Sequence, residues 1–363
     1  MMKKTISLVL VLSLVLASDI VNADFTFGTP MNLGPIVNSP DNDGLATISS
    51  DGLELCFASD RPGGYGGIDL WVTSRTTTDD SWSIPVNLGP TVNSSYSEGY
   101  PNLSADGLTL YFSDFPYTAT APGRPGGFGT YDIWMTTRET TEDEWGETVN
   151  LGPRINTSTH DVTPRISIDG LSLYFASYRP GGYGSSDIWV STRATTDDDW
   201  GEPKNLGQPL NSEISHYAPT FSADGCTLFL FSRHPEPTYI LMTTRATTDD
   251  DWDTPVKLGP PINNSYDNFK PEISADDSIL YFSSTRPGGD GGYDIWQAPI
   301  LPVVDLNGDG LVDAADMCIV VDHWGENYPL CDIGPTPLGD GIVDVQDLIV
   351  LAEHLFEEIP PVE

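Results

Sequence analysis

The chain has 363 residues, enough for a large buried core, and carries 16 Lys+Arg against 53 Asp+Glu, a formal net charge of −37. So few cations leave little to replace the counterions of phosphate, which argues against nucleic acid and anionic membrane as partners. The balance suits an exported soluble protein or one that holds cations.

In chain order, Lys3 and Lys4 precede an apolar run from Ile6 to Ala17, and Val21-Asn22-Ala23 follows. This pattern predicts a signal peptide over residues 1–23 with cleavage before Asp24. The run is short for a membrane span and nothing comparable follows, so no transmembrane segment is expected. The mature protein is expected to be secreted, or held in the periplasm or at the cell surface.

From there to residue 300 the chain repeats. An aspartate turn and its strand recur at Asp51, Asp106, Asp169, Asp224 and Asp276, as in "SSDGLELCF" and "SIDGLSLYF". Each is followed by a loop, Arg-Pro-Gly-Gly in four of five units, and then by "DLW", "DIW", "DIW", "YIL" or "DIW". A hairpin such as "TTRATTDDDW" and a short strand ending in Leu-Gly complete the unit. Four short alternating strands in about 50 residues predict one propeller blade. The first Leu-Gly, at Gly34, precedes the first turn, and the last unit stops after "DIWQAPI" without an outer strand. The N-terminal strand near residues 26–33 is therefore expected to close a fifth blade and cover its edge. The fold class expected is an all-β five-bladed β-propeller with four-stranded blades over residues 24–300. A linker at 301–304 and a small all-α, EF-hand-like domain at 305–358 should follow.

The repeated string around "DGLSLYFASYRPGGYGSSDIW" resembles the WD40-like PD40 repeat of TolB-type propellers, over roughly residues 24–300. TolB itself looks six-bladed, whereas the units here number five. That resemblance implies a fold and little about activity.

Within the propeller, the Arg-Pro-Gly-Gly loops have a plain reading. Glycine supplies the turn, and Arg61, Arg124, Arg179 and Arg286 pack against a blade or pair with an acid. Trp71, Trp134, Trp189 and Trp296 read as core aromatics, and Trp82, Trp145, Trp200 and Trp252 as packing between blades. A ring of polar residues, Asp43, Glu98, Asp161, His216 and Asn268, stands three residues ahead of the proline (Ala46 in the first unit) that begins each innermost strand. Either it lines the channel mouth as a cation or ligand site, or it binds loop amides. The next ring inward, Thr47, Asn102, Arg165, Thr220 and Glu272, offers a single carboxylate, which suits a glycosidase poorly. His160 and His216 lie in different blades with no Gly-x-Ser-x-Gly serine, so a hydrolase triad has no footing.

After residue 300, "DLNGDGLVDAAD" has the alternating oxygens and central glycine of an EF-hand-type calcium loop. Asp305, Asn307, Asp309, the Leu311 carbonyl, Asp313 and Asp316 are the candidate ligands. Hard oxygen donors at this spacing select calcium. A second half repeats the logic at Asp340, Asp344 and Asp347, with Asp332 as a substitute first ligand if the loop carries an insertion. Paired halves of this kind resemble a type I dockerin, which implies calcium-dependent folding and a cohesin partner. Ala314-Ala315 and Val345-Gln346 depart from the Ser-Thr pairs usual at its recognition positions. Cys318 and Cys331 are close enough in sequence to form a disulfide, while Cys56 and Cys226 should be buried and unpaired.

Three functions stay open on these grounds: a non-enzymatic binding protein for protein or glycan ligands, a polysaccharide-acting enzyme of glycoside hydrolase type, and a TolB-like envelope component.

Overall fold

The computed structural model describes residues 25–115, 124–233, 236–307, 310–326, 328–335 and 338–357. The expected signal peptide, Asp309 and His234 lie outside the described residues.

Alternating apolar and polar residues build five antiparallel sheets arranged as blades. Blade one runs Asp43–Ile48, Glu54–Ser59, Asp69–Ser74 and Val86–Asn87 from the axis outward. Blade two comprises Ser97–Leu103, Thr109–Phe115, Ile133–Thr137 and Val149–Asn150. Blades three and four repeat the order, their innermost strands being Asp161–Ile166 and Tyr217–Phe221. In blade five, Asn268–Ile273, Ile279–Ser284 and Asp294–Pro302 lack a fourth strand of their own. Met31–Asn32 supplies it, pairing Met31 with Gln297 and Asn32 with Trp296. Phe25–Phe27 then pairs with Ile300–Pro302. The chain's beginning thus closes its last blade, as the unit count requires. The final strand runs on to Pro302, into the stretch read as a linker.

Each innermost strand slips register near its start. The slip centres on a left-handed residue, Leu45, Tyr100, Thr163, Ala218 or Lys270, with φ of 57°, 54°, 55°, 48° and 49°. Proline follows four of them and shares the bulge, since it cannot donate to a ladder. The side chains at these bulges sit at the start of the axial channel.

Within each blade, arginine lies on tryptophan. Arg75, Arg138, Arg193 and Arg245 each lie 4.3 Å over Trp82, Trp145, Trp200 and Trp252. Arg61, Arg124, Arg179 and Arg286 cover Trp71, Trp134, Trp189 and Trp296 at 4.7–5.3 Å. All eight rings are therefore committed to packing, with a guanidinium on each.

Beyond the propeller, the described residues hold two nine-residue helices, α1 (Ala314–Asp322) and α2 (Val345–Glu353). Val304, Leu306, Val312, Val320, Ile333, Val343 and Leu351 bury a small core between them. Of the two cysteines expected to pair, Cys318 is exposed on α1 and Cys331 is buried in this core, and their sulfurs are not bonded to each other. Cys56 is buried as expected and Cys226 only half-buried.

Candidate functional site

The glycine-rich loops hold themselves. Asp69 accepts from the Tyr65 and Gly66 amides and from Asn87, and Asp132, Asp187 and Asp294 repeat this in their blades. A side chain at Gly66 would put its first carbon 1.8 Å from the Tyr96 carbonyl oxygen, so only glycine fits there. These loops turn the chain and dock it on the next blade.

The polar ring ahead of the innermost strands is buried, and its members other than His216 engage loop groups and arginines, in line with the second of the two readings. Asp43 pairs with Arg61 and accepts from the Ser39 amide and hydroxyl. Asp161 pairs with Arg179 at 2.8 Å and accepts from Thr157. Glu98 lies 3.6 Å from Arg124 and binds the Ser94 hydroxyl. Asn268 accepts from Arg286 at 2.8 Å. Each arginine also reaches a carbonyl of the preceding loop, Val37, Val92, Ile155 or Ile262. In blade four the acid is replaced by His216 and, in the sequence, the arginine by His234. His216 is buried, and burial lowers its pKa to about 4, so it is neutral. Blade four thus carries charge at neither place, whereas blade five keeps Arg286 against the neutral Asn268.

A second repeated clasp was not recognised in the sequence. Asn38, Asn93, Asn156, Asn211 and Asn263 follow the Leu-Gly segments and copy a peptide group. Asn156, for example, accepts from the Ile133 amide and donates to the Ile133 carbonyl, at 2.8 and 2.9 Å. Asn38 does the same for Ile295, across the point of closure.

Inside the channel, Glu272 is the one carboxylate of its ring. Its Oε1 accepts from Arg165 at 2.5 Å and from Thr47 at 3.1 Å, and its Oε2 from Lys270 at 3.0 Å. Burial opposes its ionisation, but the two cations prevail and hold its pKa below the usual range. Asn102 and Thr220 accept the amides of Ile166 and Ile273 in the adjacent blades.

What repeats is thereby used up in holding the fold. What does not repeat gathers at the channel end where the innermost strands begin. The left-handed position is Leu45, Tyr100, Thr163, Ala218 and Lys270, and the residue ending or following the second strand is Asp60, Phe115, Tyr178, Arg233 and Thr285. Around these, Tyr131 lies 4.2 Å from His160 and 6.0 Å from Phe115 between ring centres, and His160 lies 4.8 Å from Tyr178. The Tyr178 and Tyr217 hydroxyls bond to each other. Arg233 donates to the Tyr100 hydroxyl at 3.0 Å and lies 5.3 Å over the Tyr217 ring. Phe269 and Tyr293, 5.3 Å apart, complete the wall. Tyr100, Tyr131, His160, Tyr178 and Tyr293 are half-buried and Arg233 is exposed. Partial burial lowers the pKa of His160. The result is an aromatic basin drawn from four blades, bearing hydroxyls and one fixed cation. A groove of about 630 Å³ lined by Glu236, Thr238, Tyr266 and Asp267 adjoins it at Arg233.

In the C-terminal segment, Asp305 accepts from the Gly310 amide, and Asp332 accepts from Asp340 and Gly341. Gly310 and Gly341 have φ of 90° and 92°, so Asp332 takes in the second half the place of Asp305 in the first. Asp313 and Asp344 cap the two helices, reciprocated by Asp316 and Asp347. Asp316 and Asp347 are buried and also accept the amides of Leu306, Asn307, Ile333 and Gly334. Leu311 is exposed. No three metal-ligating side chains converge among the described residues.

No protein-family profile matches the chain, and no curated protein does. Solved structures do. An alpha-L-arabinofuranosidase from Lactobacillus brevis aligns over 74% of this chain and 94% of its own, at 16% identity and TM-score 0.50. An alpha-L-arabinofuranosidase from Podospora anserina covers 76% and 97% at 10% identity and TM-score 0.48. A TolB described as putative, from Agrobacterium tumefaciens, covers 77% and 100% at 13% identity and TM-score 0.43. At such identities the likeness is one of fold alone. No described helix is long and apolar enough to cross a membrane.

Proposed function

We propose that this is an exported, non-enzymatic binding protein whose propeller receives a glycan in the aromatic basin around Arg233. One observation carries the reading: the basin is built from positions that differ between blades, whereas packing positions repeat. Half-buried tyrosine faces suit stacking against sugar C–H surfaces, and their hydroxyls with Arg233 supply directional donors. A polysaccharide-acting enzyme is the competing reading, given folds of the arabinofuranosidase kind. Against it stand Asp43, Glu98, Asp161 and Glu272, all buried and each facing arginine, where hydrolysis needs two carboxylates open to a sugar ring. The test is a glycan array probed with the mature chain, then with Arg233→Met and Tyr100→Ala. Retained folding with binding weakened at least tenfold is expected. Binding untouched by both substitutions, or release of reducing sugar from the bound glycan, would refute the proposal.

The C-terminal segment is proposed as a calcium-stabilised docking module of dockerin type, with a cohesin-like protein as partner. Its support is the crowding at Asp332, whose pKa is raised to about 6 by burial and by the Asp347 and Asp340 carboxylates. A divalent cation would relieve that crowding, with Asp332, Asp340 and Asp347 in one loop and Asp305, Asn307 and Asp316 in the other as its holders.

A further inference from the structure

A second feature lies toward the opposite end of the channel, joined to the basin end through Lys270, which reaches Glu272. A cavity of about 500 Å³ opens between the aspartate turns and ends at Arg165 and Glu272. Its walls are mainly apolar, with Ile48, Leu103, Ile166, Tyr174, Phe221 and Ile273. At its floor one carboxylate, Glu272, meets two cations, Arg165 and Lys270, and both its oxygens are taken. Lys270 is buried, while the Arg165 side chain keeps 18% of its surface exposed. Within this ion cluster two cations thus face one carboxylate, and the buried Asp277, on the turn that holds the Ala223 amide, also lies within electrostatic reach of Arg165. The mouth carries two carboxylates and one guanidinium, each hydrogen-bonded within its own blade. Asp169 and Asp224 accept from their own turn serines and the Leu171 and Cys226 amides. Arg245 lies on Trp252 and donates to the Gly225 and Thr248 carbonyls.

Two cations sharing one carboxylate at the foot of an apolar cavity are costly unless an anion joins them. A guanidinium already bound on one side presents its remaining N–H groups as a fork matched to a carboxylate. The size lies in the range of small-molecule sites. We infer that this cavity binds a small monocarboxylate with an apolar body, its carboxylate on Arg165 and its body along Ile48, Leu103, Phe221 and Ile273.

Calorimetric titration of the full chain with 3-phenylpropanoate and octanoate, each beside its primary amide, tests the assignment. Saturable one-to-one binding of at least one acid is expected, at least tenfold tighter than its amide. Arg165→Met should weaken it at least tenfold. Ala275→Trp, at an exposed turn on the cavity mouth, should block it without touching the charged floor, so the test survives if the arginine variant fails to fold. No binding of either acid up to its solubility, equal binding of acid and amide, or binding unchanged by Ala275→Trp would each overturn it. None of these results depends on the glycan proposal.

Discussion

Arg179 lies 2.8 Å from Asp161, its partner 18 residues earlier, and ties the loop of blade three to the start of its own innermost strand. The aspartate is wholly buried, so removing it strands a cation. Asp161→Ala should cost about 3–5 kcal/mol. The double variant Asp161→His with Arg179→His copies the blade-four pair in sequence and should cost less than the single change. Urea denaturation of the three chains decides this; a double variant at least as unstable as the single one would refute the pairing argument.

Asp277 stands where the other aspartate turns carry glycine, with φ of 57°, and its two oxygens accept from the Ala223 amide at 3.0 and 3.1 Å. Burial, aided by Asp224 and Asp276, raises its pKa to about 7. The folded chain keeps this proton where the unfolded chain has lost it. Stability from this group is therefore full at acid pH and declines as pH rises from about 4 to 7. Asn tolerates the left-handed region and stays neutral. Asp277→Asn should raise the melting temperature relative to wild type more at pH 8 than at pH 5. An equal difference at both pH values would show that the carboxyl does not titrate in this window.

Asn38 satisfies both peptide groups of Ile295 and is itself buried. Asn38→Ala leaves the buried Ile295 amide unpaired, while the Ile295 carbonyl keeps the Leu33 amide, and should cost about 1–3 kcal/mol. Denaturant midpoints read this directly, and a loss below about 0.5 kcal/mol would mean that the clasp is dispensable.

Calcium removal should act on the C-terminal segment alone. With EDTA, the full chain is expected to lose protection from proteolysis between residues 305 and 357 while residues 25–302 keep theirs. Identical digestion patterns with and without chelator would rule out calcium stabilisation.

The wheel was legible because repetition is visible in a single chain: Leu-Gly, the aspartate turn and the tryptophans recur in order. Closure was legible for the same reason, since one outer strand was missing at the end and one spare at the start. The role of Asp43, Glu98 and Asp161 was legible only as one of two readings, and their pairing with particular arginines was not. Sequence position gives depth along a strand, and the bulge beside Leu45, Tyr100 and Thr163 alters the direction in which the neighbouring side chains leave it. A usable signal existed, namely the constant 18-residue offset of Arg61, Arg179 and Arg286 from Asp43, Asp161 and Asn268. Tyr100, Tyr178 and Arg233 escaped notice because aligning repeats draws attention to what agrees. The ion cluster at Arg165 needed Lys270 beside Glu272, and Lys270 lay at a position with no counterpart of its type in the other blades.

Because Phe25–Phe27 hydrogen-bonds to Ile300–Pro302, the earliest described residues wait for the latest propeller residues before either is satisfied. During synthesis four sheets can stack into an open horseshoe, yet its two free rims must persist until about 270 further residues have emerged. Ring-shaped cooperativity follows: severing the circle at one seam weakens all five sectors, and a fusion partner grafted immediately before residue 25 presses on the clasp rather than dangling from a tail.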